Sequence, residues 1–260
     1  MFNRKLLKNI LDKNAKTIRA HQFLSDYAAN LLQEKLELTK LSFEKVLNLG
    51  AKSDLFYDLL KERNPKVKII ETSLSHNFLA SSNNQDLVVC DEELLPFKEE
   101  SFDLVVAVLN LHNVNDLVGS LVQIRNILKD KGLFIGCMIG GESLKELRQA
   151  CLEADSELGG ASPKVAPFIE VKTAGSLLQR AGFHMPITDS DQLVIEYETM
   201  DKFFRDLKNM GEGNILESKT KNLMSKKRLN LIKEIYLKKY KNSANIPANF
   251  ELINLTAFKN

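Results

Sequence analysis

A short apolar run followed by a glycine is the first place in this chain where a ligand could be held. Residues 46–49 (VLNL) are typical of a buried parallel strand, and Gly50 follows where a phosphate- or adenosine-binding turn begins. Such turns normally carry more glycines, because a backbone without side chains can approach the ligand closely. Lys52 and Asp54 stand at those positions here. The sequence therefore predicts a nucleotide-type turn that carries charged side chains.

Three further segments place other residues just after an apolar run. Ser73 follows KIIET, Asp91 follows LVVC, and residues 109–112 follow DLVVAV. Ligands of parallel sheets bind beyond the carboxyl ends of the strands. We therefore expect these residues to surround one crevice together with Gly50.

Two residues have a spacing that suits metal ligands. His112 and Asp116 are four positions apart, and an iron(II) oxygenase site needs two histidines and one carboxylate on one face. No second histidine lies nearby in the sequence, so we predict no metal site and a crevice-lining or hydrogen-bonded role for His112. The spacings of a Ser-His-Asp triad, a phosphate loop and a zinc site are also missing. We therefore assign no catalytic residue.

An alternating α/β chain has to position these residues. Apolar runs alternate with amphipathic helical patterns, which indicates a parallel sheet covered by helices on both faces. With 260 residues, of which 44% are hydrophobic and 27% charged, the chain suits one α/β domain with an added segment. The predicted strands are 45–50, 67–72, 85–92, 101–112, 133–140, one that starts in 182–191, and 250–258, and the predicted helices are 5–38, 53–64, 116–132, 143–158, 173–181, 200–210 and 218–240.

Several helix ends carry residues that are typical of caps. Ser53 is predicted to cap the helix that follows it, Gly132 to end the helix that precedes it, and Ser143 to form a capping box with Glu146. The segment NMGEGN interrupts two helical patterns later in the chain. Its Glu212 either faces the mouth of the crevice or only ends a helix, since the two glycines suffice for that.

The charge distribution bears on the kind of partner. The formal net charge is +2, which argues against a nucleic-acid-binding protein. Residues 201–260 nevertheless contain 13 Lys+Arg and 6 Asp+Glu, whereas residues 61–120 contain 5 and 10. The basic end could contact an acidic partner or a membrane surface, or it could be a solvated helix face. No run of eighteen apolar residues is present, so we expect no membrane span.

Long stretches of the chain resemble a known family. CDEELLPFKEESFDLVVAVLNLHNVNDL and ILKDKGLFIGCMIGGESLKELR resemble class I S-adenosylmethionine-dependent methyltransferases. FNRKLLKN, GGASPKVAPFIEV, LKNMGEGN and IPANFELINLTAF are similar to the methyltransferase-like assembly factors of respiratory complex I. The malonyl-carrier-protein methyltransferases of biotin synthesis are the second group that the chain resembles.

This resemblance implies a fold and its parts. The expected fold is a three-layer, Rossmann-like α/β fold with a seven-stranded, mostly parallel sheet whose last strand is antiparallel. The expected parts are an N-terminal helical segment (1–40), a methyltransferase-like core (41–198), inserted helices (199–246) and the final strand of the core sheet (247–260).

The resemblance also carries the family's cofactor site onto this chain. Asp91 matches the residue that accepts a hydrogen bond from the adenine amine, and Glu92 supplies the neighbouring backbone N–H. Ser73 stands where the family has an acid that binds the ribose hydroxyls, and Glu71 two positions earlier is a candidate replacement. The cofactor-binding residues that the resemblance implies are Leu49, Gly50, Ser73, Leu74, Asp91, Glu92, Ala107 and Leu109.

Departures from the family pattern predict that this cofactor site is eroded. Lys52 and Asp54 replace two glycines of the first motif, and Asp54 would repel the carboxylate of the cofactor. Lys52 is long enough to reach into the cavity. Asn48 replaces the acid before Gly50, and Asn113 replaces an aromatic residue. We therefore predict that S-adenosylmethionine binds weakly or not at all.

Three functions follow from the resemblance and its departures. The first is binding of a protein partner, a respiratory complex subunit or an acyl carrier protein, with the basic C-terminal helices as the contact surface. The second is active methyl transfer to a carrier-bound carboxylate or a protein side chain. The third is hydroxylation of an arginine on a partner, as is thought for some complex I assembly relatives. We expect a bacterial cytoplasmic protein, because the resemblance begins at Phe2 and leaves no room for a transit peptide.

Overall fold

A single sheet forms the centre of the structure. The structure is a computed structural model that describes residues 1–160, 163–218, 224–242 and 245–260. The strands within these residues are β1 (Lys45–Leu49), β2 (Lys68–Ser73), β3 (Leu87–Val89), β4 (Phe102–Val108), β5 (Leu128–Ile139), β6 (His184–Tyr197) and β7 (Ile246–Phe258). Their order in the sheet is β3-β2-β1-β4-β5-β7-β6. Strand β7 is antiparallel to both of its neighbours and the other pairs are parallel. The predicted seven-stranded, mostly parallel sheet is confirmed.

Helices cover both faces of the sheet and complete three layers. The α-helices of the described residues are α1 (Arg4–Arg19), α2 (Phe23–Glu37), α3 (Leu55–Arg63), α4 (His76–Leu79), α5 (Leu117–Ile127), α6 (Lys145–Leu158), α7 (Val171–Arg180), α8 (Met200–Asn209) and α9 (Lys226–Tyr240). Successive side chains of a strand point to opposite faces. Val46 belongs to the core cluster that includes residues of α2, α3, α6, α8 and α9, whereas Leu47 belongs to the cluster that includes residues of α5 and α7.

The N-terminal segment consists of two helices, so the single helix predicted over residues 5–38 is wrong. Helix α1 ends at Arg19 and α2 begins at Phe23. The break lets the two helices bury different apolar faces: α1 packs in a small cluster around Phe78 of α4, and α2 packs on the main core. No proline or glycine marks this turn in the sequence, because tertiary packing and not local propensity places it.

Two predicted helix caps are also wrong, because the serines have other partners. Helix α3 begins two residues after Ser53, whose hydroxyl donates to Asp26 Oδ1 at 2.7 Å. Helix α6 has Leu144 at its N-cap without a side-chain cap. The Ser143 hydroxyl instead donates to Glu251 O at 3.1 Å and accepts from Glu251 N at 2.9 Å. Both serines therefore join distant parts of the chain.

The helix predicted to end at Gly132 ends earlier. Helix α5 stops at Ile127, and β5 begins at the next residue, Leu128, which is fully buried and pairs with Phe102. The register between β4 and β5 then shifts before the pairing resumes at Leu133. Gly132 lies within this strand, where an added Cβ would approach Lys129 O to 2.7 Å. A close backbone approach, not a helix end, is the reason for this glycine.

Strand β4 ends four residues earlier than the strand predicted over residues 101–112. The strand ends at Val108, and Leu109 adopts a positive φ of 48° that side chains rarely allow. A short 3₁₀ turn at Leu111–Asn113 follows. This bend directs residues 109–113 across the carboxyl end of the sheet.

Helices α8 and α9 lie between β6 and the last strand, β7. The predicted helix over residues 218–240 is observed from Lys226 onwards, and residues 219–223 lie outside the described part of the chain. Phe203 of α8 and Tyr236 of α9 are buried together, and Tyr236 Oη donates to Pro247 O at 2.7 Å. These contacts attach both helices to β7. Among the described helices, none is long and apolar enough to cross a membrane.

Candidate functional site

The carboxyl ends of four adjacent strands, β3, β2, β1 and β4, meet at one edge of the sheet and form a crevice. The strands bring the predicted cofactor residues to this edge, where Leu49 ends β1 and pairs with Ala107 of β4. The eight residues placed there are Leu49, Gly50, Ser73, Leu74, Asp91, Glu92, Ala107 and Leu109. Their role toward a cofactor stays a prediction.

The turn after β1 has a backbone conformation that requires glycine. Gly50 has a φ of +81°, and its N–H donates to Thr72 Oγ1 at 3.1 Å. An added Cβ at Gly50 would lie 2.5 Å from Asn110 Nδ2, so only glycine fits. Asn110 is buried, and neither polar atom of its side chain has a hydrogen-bond partner among the described residues. A buried amide without partners is costly and points to a polar group that it could receive.

Lys52 reaches across the crevice to Glu212, in the segment between α8 and α9. Lys52 Nζ lies 2.6 Å from Glu212 Oε1, and the two side chains are only 7% and 10% exposed. Burial acts to raise the pKa of Glu212, but the charge of Lys52 and the contact with His112 outweigh it and lower the pKa to about 2. Glu212 is therefore a carboxylate at neutral pH, and it faces the crevice.

Little open volume remains on the side of this ion pair that faces Leu109 and Met210. The cavity bordered by Lys52, Leu109, Met210 and Glu212 measures about 10 Å³. A cavity needs roughly 10–15 Å³ to hold one water molecule. The part of the crevice beside Lys52 therefore accommodates a single water at most.

His112 lies behind Glu212 as a hydrogen-bonded residue, which was one of the roles predicted for it. Its Nε2 contacts Glu212 Oε2 at 3.1 Å, and its Nδ1 accepts from Ile139 N at 3.5 Å, so we assign the proton to Nε2. Burial lowers the pKa of His112, and the side chain is fully inaccessible. The neutral ring orients the carboxylate.

The end of the crevice around Asp91 and Glu92 is engaged by the first helix. Arg4 Nη2 donates to Asp91 Oδ1 at 2.6 Å and also contacts the carboxylate of Glu92. Arg4 Nη1 donates to Asn113 O at 3.0 Å. The guanidinium thus joins the two acids after β3 to the turn after β4. The Arg4 side chain is 13% exposed.

Asp54 is paired in a similar way. Arg19, the last residue of α1, forms an ion pair with Asp54 Oδ1, and its guanidinium lies 4.4 Å from the centroid of the Phe78 ring. Gln22 Nε2 donates to Asp54 Oδ2 at 3.4 Å. Each charged residue that interrupts the first motif therefore has a partner outside the sheet, Glu212 for Lys52 and Arg19 for Asp54.

Glu71, the candidate replacement for the ribose-binding acid, is committed to internal contacts. Its Oε1 accepts from Asn48 Nδ2 at 3.0 Å, and its Oε2 accepts from the Ser82 hydroxyl. The side chain is buried, and burial raises the pKa of Glu71. Ser73 Oγ accepts from Ser75 N at 3.3 Å. Both oxygens of Glu71 are thus engaged within the fold.

Sequence reasoning missed Arg4 and Arg19 as crevice residues. Both lie in a basic amphipathic helix, and nothing in helical spacing says which acid a given arginine meets. For Glu212 two alternatives stood open, and the structure places its side chain in the crevice. Among the described residues, no group of three or more His, Cys, Asp or Glu side chains is arranged to hold a metal ion.

Comparison with known proteins relates the chain to one family. Residues 47–136 match the family model described as a methyltransferase domain. The arginine-hydroxylase NDUFAF5 of Danio rerio is 34% identical over 92% of this chain and 76% of its own length. The malonyl-[acyl-carrier protein] O-methyltransferase of Gallionella capsiferriformans is 26% identical over 100% of this chain and 92% of its own length. The match spans only 57% of the Mus musculus NDUFAF5 protein, which is 39% identical.

The fold agrees with these relatives. The YcgJ protein of Bacillus subtilis superposes with a TM-score of 0.60 at 14% identity, over 90% of this chain and 98% of that one. The sheet order, the crevice and these similarities define the class. The chain belongs to the class I S-adenosylmethionine-dependent methyltransferase family, with NDUFAF5 and malonyl-[acyl-carrier protein] O-methyltransferase as homologues.

The residues of the crevice do not fit S-adenosylmethionine in this arrangement. The bend at Gly50 and the amide of Asn110 suit a ligand. However, Asp91 is bonded to Arg4, and the Lys52–Glu212 pair leaves about 10 Å³ beside the turn. Access for an adenosyl ligand would require both contacts to separate.

Proposed function

We propose that the chain is a methyltransferase-family protein whose S-adenosylmethionine site is filled by its own side chains and which acts by binding a protein partner. The observation that carries the proposal is the buried ion pair of Lys52 and Glu212, at 2.6 Å, beside the first motif. Two further contacts support it, because Arg4 engages Asp91 and the ion pair of Arg19 holds Asp54. Helix α1 and the segment around Glu212 together take the place of a ligand.

Cofactor binding would have to break these contacts. A hydrogen bond to a charged group contributes roughly 1.5–3 kcal/mol, so the loss of two costs about 3–6 kcal/mol. A cost of that size moves a micromolar dissociation constant towards the millimolar range or beyond. The charged partners of Lys52 and Asp91 are therefore sufficient to explain weak or lost binding.

Calorimetric titration with S-adenosylhomocysteine tests the closed site. We expect the wild type to bind in the millimolar range or not at all. The double variant Lys52→Gly/Glu212→Gln removes both charges, leaves no buried ion unpaired, and should bind at least about tenfold more tightly. The control Lys66→Gly/Asp86→Asn makes similar changes in exposed loops and should behave like the wild type. Low-micromolar binding by the wild type would overturn the proposal.

The partner part of the proposal draws on the homologues and on charge. The sequence of the chain resembles the methyltransferase-like complex I assembly factors, and the second homologue is named for methyl transfer to a malonyl-[acyl-carrier protein]. We infer that the partner is a respiratory complex subunit or an acyl carrier protein. The basic surface of α9 is available for such a contact, with Lys226, Lys227 and Lys238 unpaired among the described residues.

Genetic complementation tests whether the partner role needs the cofactor. In a strain that lacks the chain, native gels should show less assembled complex I, and the wild type should restore it. Asp91→Asn removes the acid for the adenine amine but keeps an oxygen that accepts from Arg4. We expect this variant to restore assembly equally well. A folded Asp91→Asn protein that fails to do so would show that the cofactor is used.

A second candidate is an active methyltransferase, and Asn110 favours it. Its buried amide has no partner among the described residues and lies against Gly50, as if to meet a ligand. In this case α1 and the Glu212 segment would move apart before the cofactor enters. The substrate would be a carrier-bound carboxylate or a protein side chain. A biotin requirement in the strain that lacks the chain, together with micromolar cofactor binding, would support this candidate.

The NDUFAF5 homologues are named as arginine hydroxylases, which favours a third activity, hydroxylation of a protein arginine. Mass spectrometry of the partner from strains with and without the chain checks it, because hydroxylation adds one oxygen to an arginine. Metal analysis of the purified protein is the matching measurement for iron. A partner whose arginines are identical in both strains would remove this candidate.

We also propose a bacterial cytoplasmic location. The malonyl-[acyl-carrier protein] O-methyltransferase homologues are bacterial proteins, and the chain was expected in that compartment from its sequence. Cell fractionation with an antibody against the chain checks this. Recovery in the membrane or periplasmic fraction would contradict it.

A further inference from the structure

A second, larger cavity is also bordered by Glu212, but Lys52 does not line it. Its volume is about 460 Å³, within the range of about 300–1,000 Å³ that is typical of ligand pockets. It lies between α6, α8 and α9, and Asn113 and Glu212 form the end that borders the crevice. The apolar walls include Leu144, Leu147, Phe168, Phe204, Leu207 and Ile232.

The carboxylates in the wall of this pocket already have cationic partners. Asp201 Oδ1 lies 2.6 Å from Lys233 Nζ, and Glu212 Oε1 lies 2.6 Å from Lys52 Nζ. Neither acid therefore adds free negative charge to the pocket. A cationic side chain that entered would have to displace a lysine that is already in place.

Two lysines near the rim of the pocket form no ion pair with any residue that the structure describes. Lys208 borders the pocket, is exposed, and forms no ion pair among the residues that the structure describes. Lys226 is likewise exposed and unpaired there, and it lies three positions before Leu229 of the pocket wall, on the same face of α9. An apolar pocket with a basic rim complements an apolar group flanked by acids.

We propose that this pocket docks an acidic segment of a partner protein, which inserts a large apolar side chain between α6, α8 and α9. The acidic residues of the segment face Lys208 and Lys226, and the apolar anchor fills the space lined by Leu207 and Ile232. This inference rests on the proposed function in that the partner is a protein. Because Glu212 and Asn113 form the inner end of the pocket, the docked segment lies beside the crevice.

Fluorescence anisotropy with synthetic peptides tests this docking site. The probe is fluorescein-labelled Asp-Glu-Leu-Phe-Glu-Asp, and its comparisons replace Leu-Phe by Ser-Ser or the four acids by lysines. We expect the probe to bind, both comparison peptides to bind at least about tenfold more weakly, and added salt to weaken the probe. Preference for the lysine peptide would overturn the proposal in favour of a cationic ligand, and failure of the probe to bind would overturn it outright.

Charge reversal on α8 locates the peptide. Lys208→Glu should weaken probe binding about five- to tenfold, because it reverses a rim charge. Arg205→Glu makes the same change on an exposed residue of the same helix that does not line the pocket, and it should have little effect. Equal effects of the two variants would overturn the docking site. A different result, tight binding of S-adenosylhomocysteine to the wild type, would contradict the proposal of a closed cofactor site. The peptide measurements do not report that binding, so the two proposals can fail independently.

Discussion

Arg4 Nη2 donates a hydrogen bond of 2.6 Å to Asp91 Oδ1 across 87 positions of sequence. The same guanidinium also engages Glu92 and the carbonyl oxygen of Asn113, and its side chain is 13% exposed. The acid that relatives are expected to offer to adenine is thus bonded to the first helix. We propose that Arg4 and an adenosyl ligand would compete for this carboxylate.

Removal of this arginine should uncover the adenine end of the crevice. We expect Arg4→Ala to bind adenosine about tenfold more tightly than the wild type, measured by calorimetry, because Asp91 becomes free to accept from the ligand. The free energy of unfolding should fall by about 1–3 kcal/mol, since two acids lose a charged partner.

The neighbouring residue provides the control for Arg4. Lys5 is exposed, and no ion pair of its side chain is found among the described residues. Lys5→Ala should leave both adenosine binding and stability close to those of the wild type. If Arg4→Ala and Lys5→Ala bind adenosine equally, Arg4 does not compete with the ligand.

The turn at Gly50 should tolerate no side chain. Gly50→Ala would place a Cβ 2.5 Å from Asn110 Nδ2 at a φ of +81°, so we expect a loss of about 1–3 kcal/mol in the free energy of unfolding. Among the described residues, apart from its two chain neighbours, Gly213 has no atom within 4 Å of an added Cβ, and its φ lies outside the left-handed range. Gly213→Ala should therefore stay within about 0.5 kcal/mol of the wild type. Urea unfolding of both variants decides between these outcomes.

The contribution of Glu212 to stability should depend on pH in a defined direction. Its pKa is lowered from 4.5 to about 2 in the folded state, because Lys52 and His112 outweigh the effect of burial. A lowered pKa means that the charged form stabilises the fold at pH above about 4.5, and that this contribution is lost as the pH falls towards about 2. We expect Glu212→Gln to lower the free energy of unfolding by about 3 kcal/mol at pH 7.

Urea unfolding between pH 2 and pH 7 measures this dependence. The difference between wild type and Glu212→Gln should shrink as the pH falls through the range named above. Glu234→Gln is the control, because Glu234 is exposed on α9 and should change stability by less than about 0.5 kcal/mol at any pH. A difference that is constant over this range would contradict the ion pair as its cause.

Ser143 should matter for stability as a tertiary link and not as a helix cap. Its hydroxyl is buried and bonds both the N–H and the carbonyl oxygen of Glu251. Ser143→Ala should cost about 1–3 kcal/mol, because it removes the hydroxyl that accepts from the Glu251 N–H, whereas the Glu251 carbonyl oxygen still accepts from Gly140 N. Ser176→Ala, on the exposed face of α7, should be neutral or slightly stabilising. Thermal unfolding of the two variants compares them, and equal melting temperatures would disprove the link.

The fold was largely predictable from local pattern. The apolar runs that contain Val46 and Val106 lie between amphipathic helices, and burial on both faces of a parallel sheet requires that pattern. The helix ends were less predictable. Ser53 and Ser143 have the types of cap residues, yet each bonds a residue far away in the chain, and such a choice leaves no trace in local spacing.

The sequence by itself determined the sheet, the turn at Gly50 and the presence of charges at Lys52 and Asp54, because hydrophobic periodicity and residue type are local properties. Only the tertiary structure decided which residues form ion pairs with those charged side chains. Lys52 pairs with Glu212 across 160 positions, and Asp54 pairs with Arg19 of a helix that packs beside the sheet. Such pairs depend on how the helices dock onto the sheet, and the burial of apolar faces determines that docking. Docking therefore decides which residues neighbour each charged side chain, and no local sequence pattern records those neighbours.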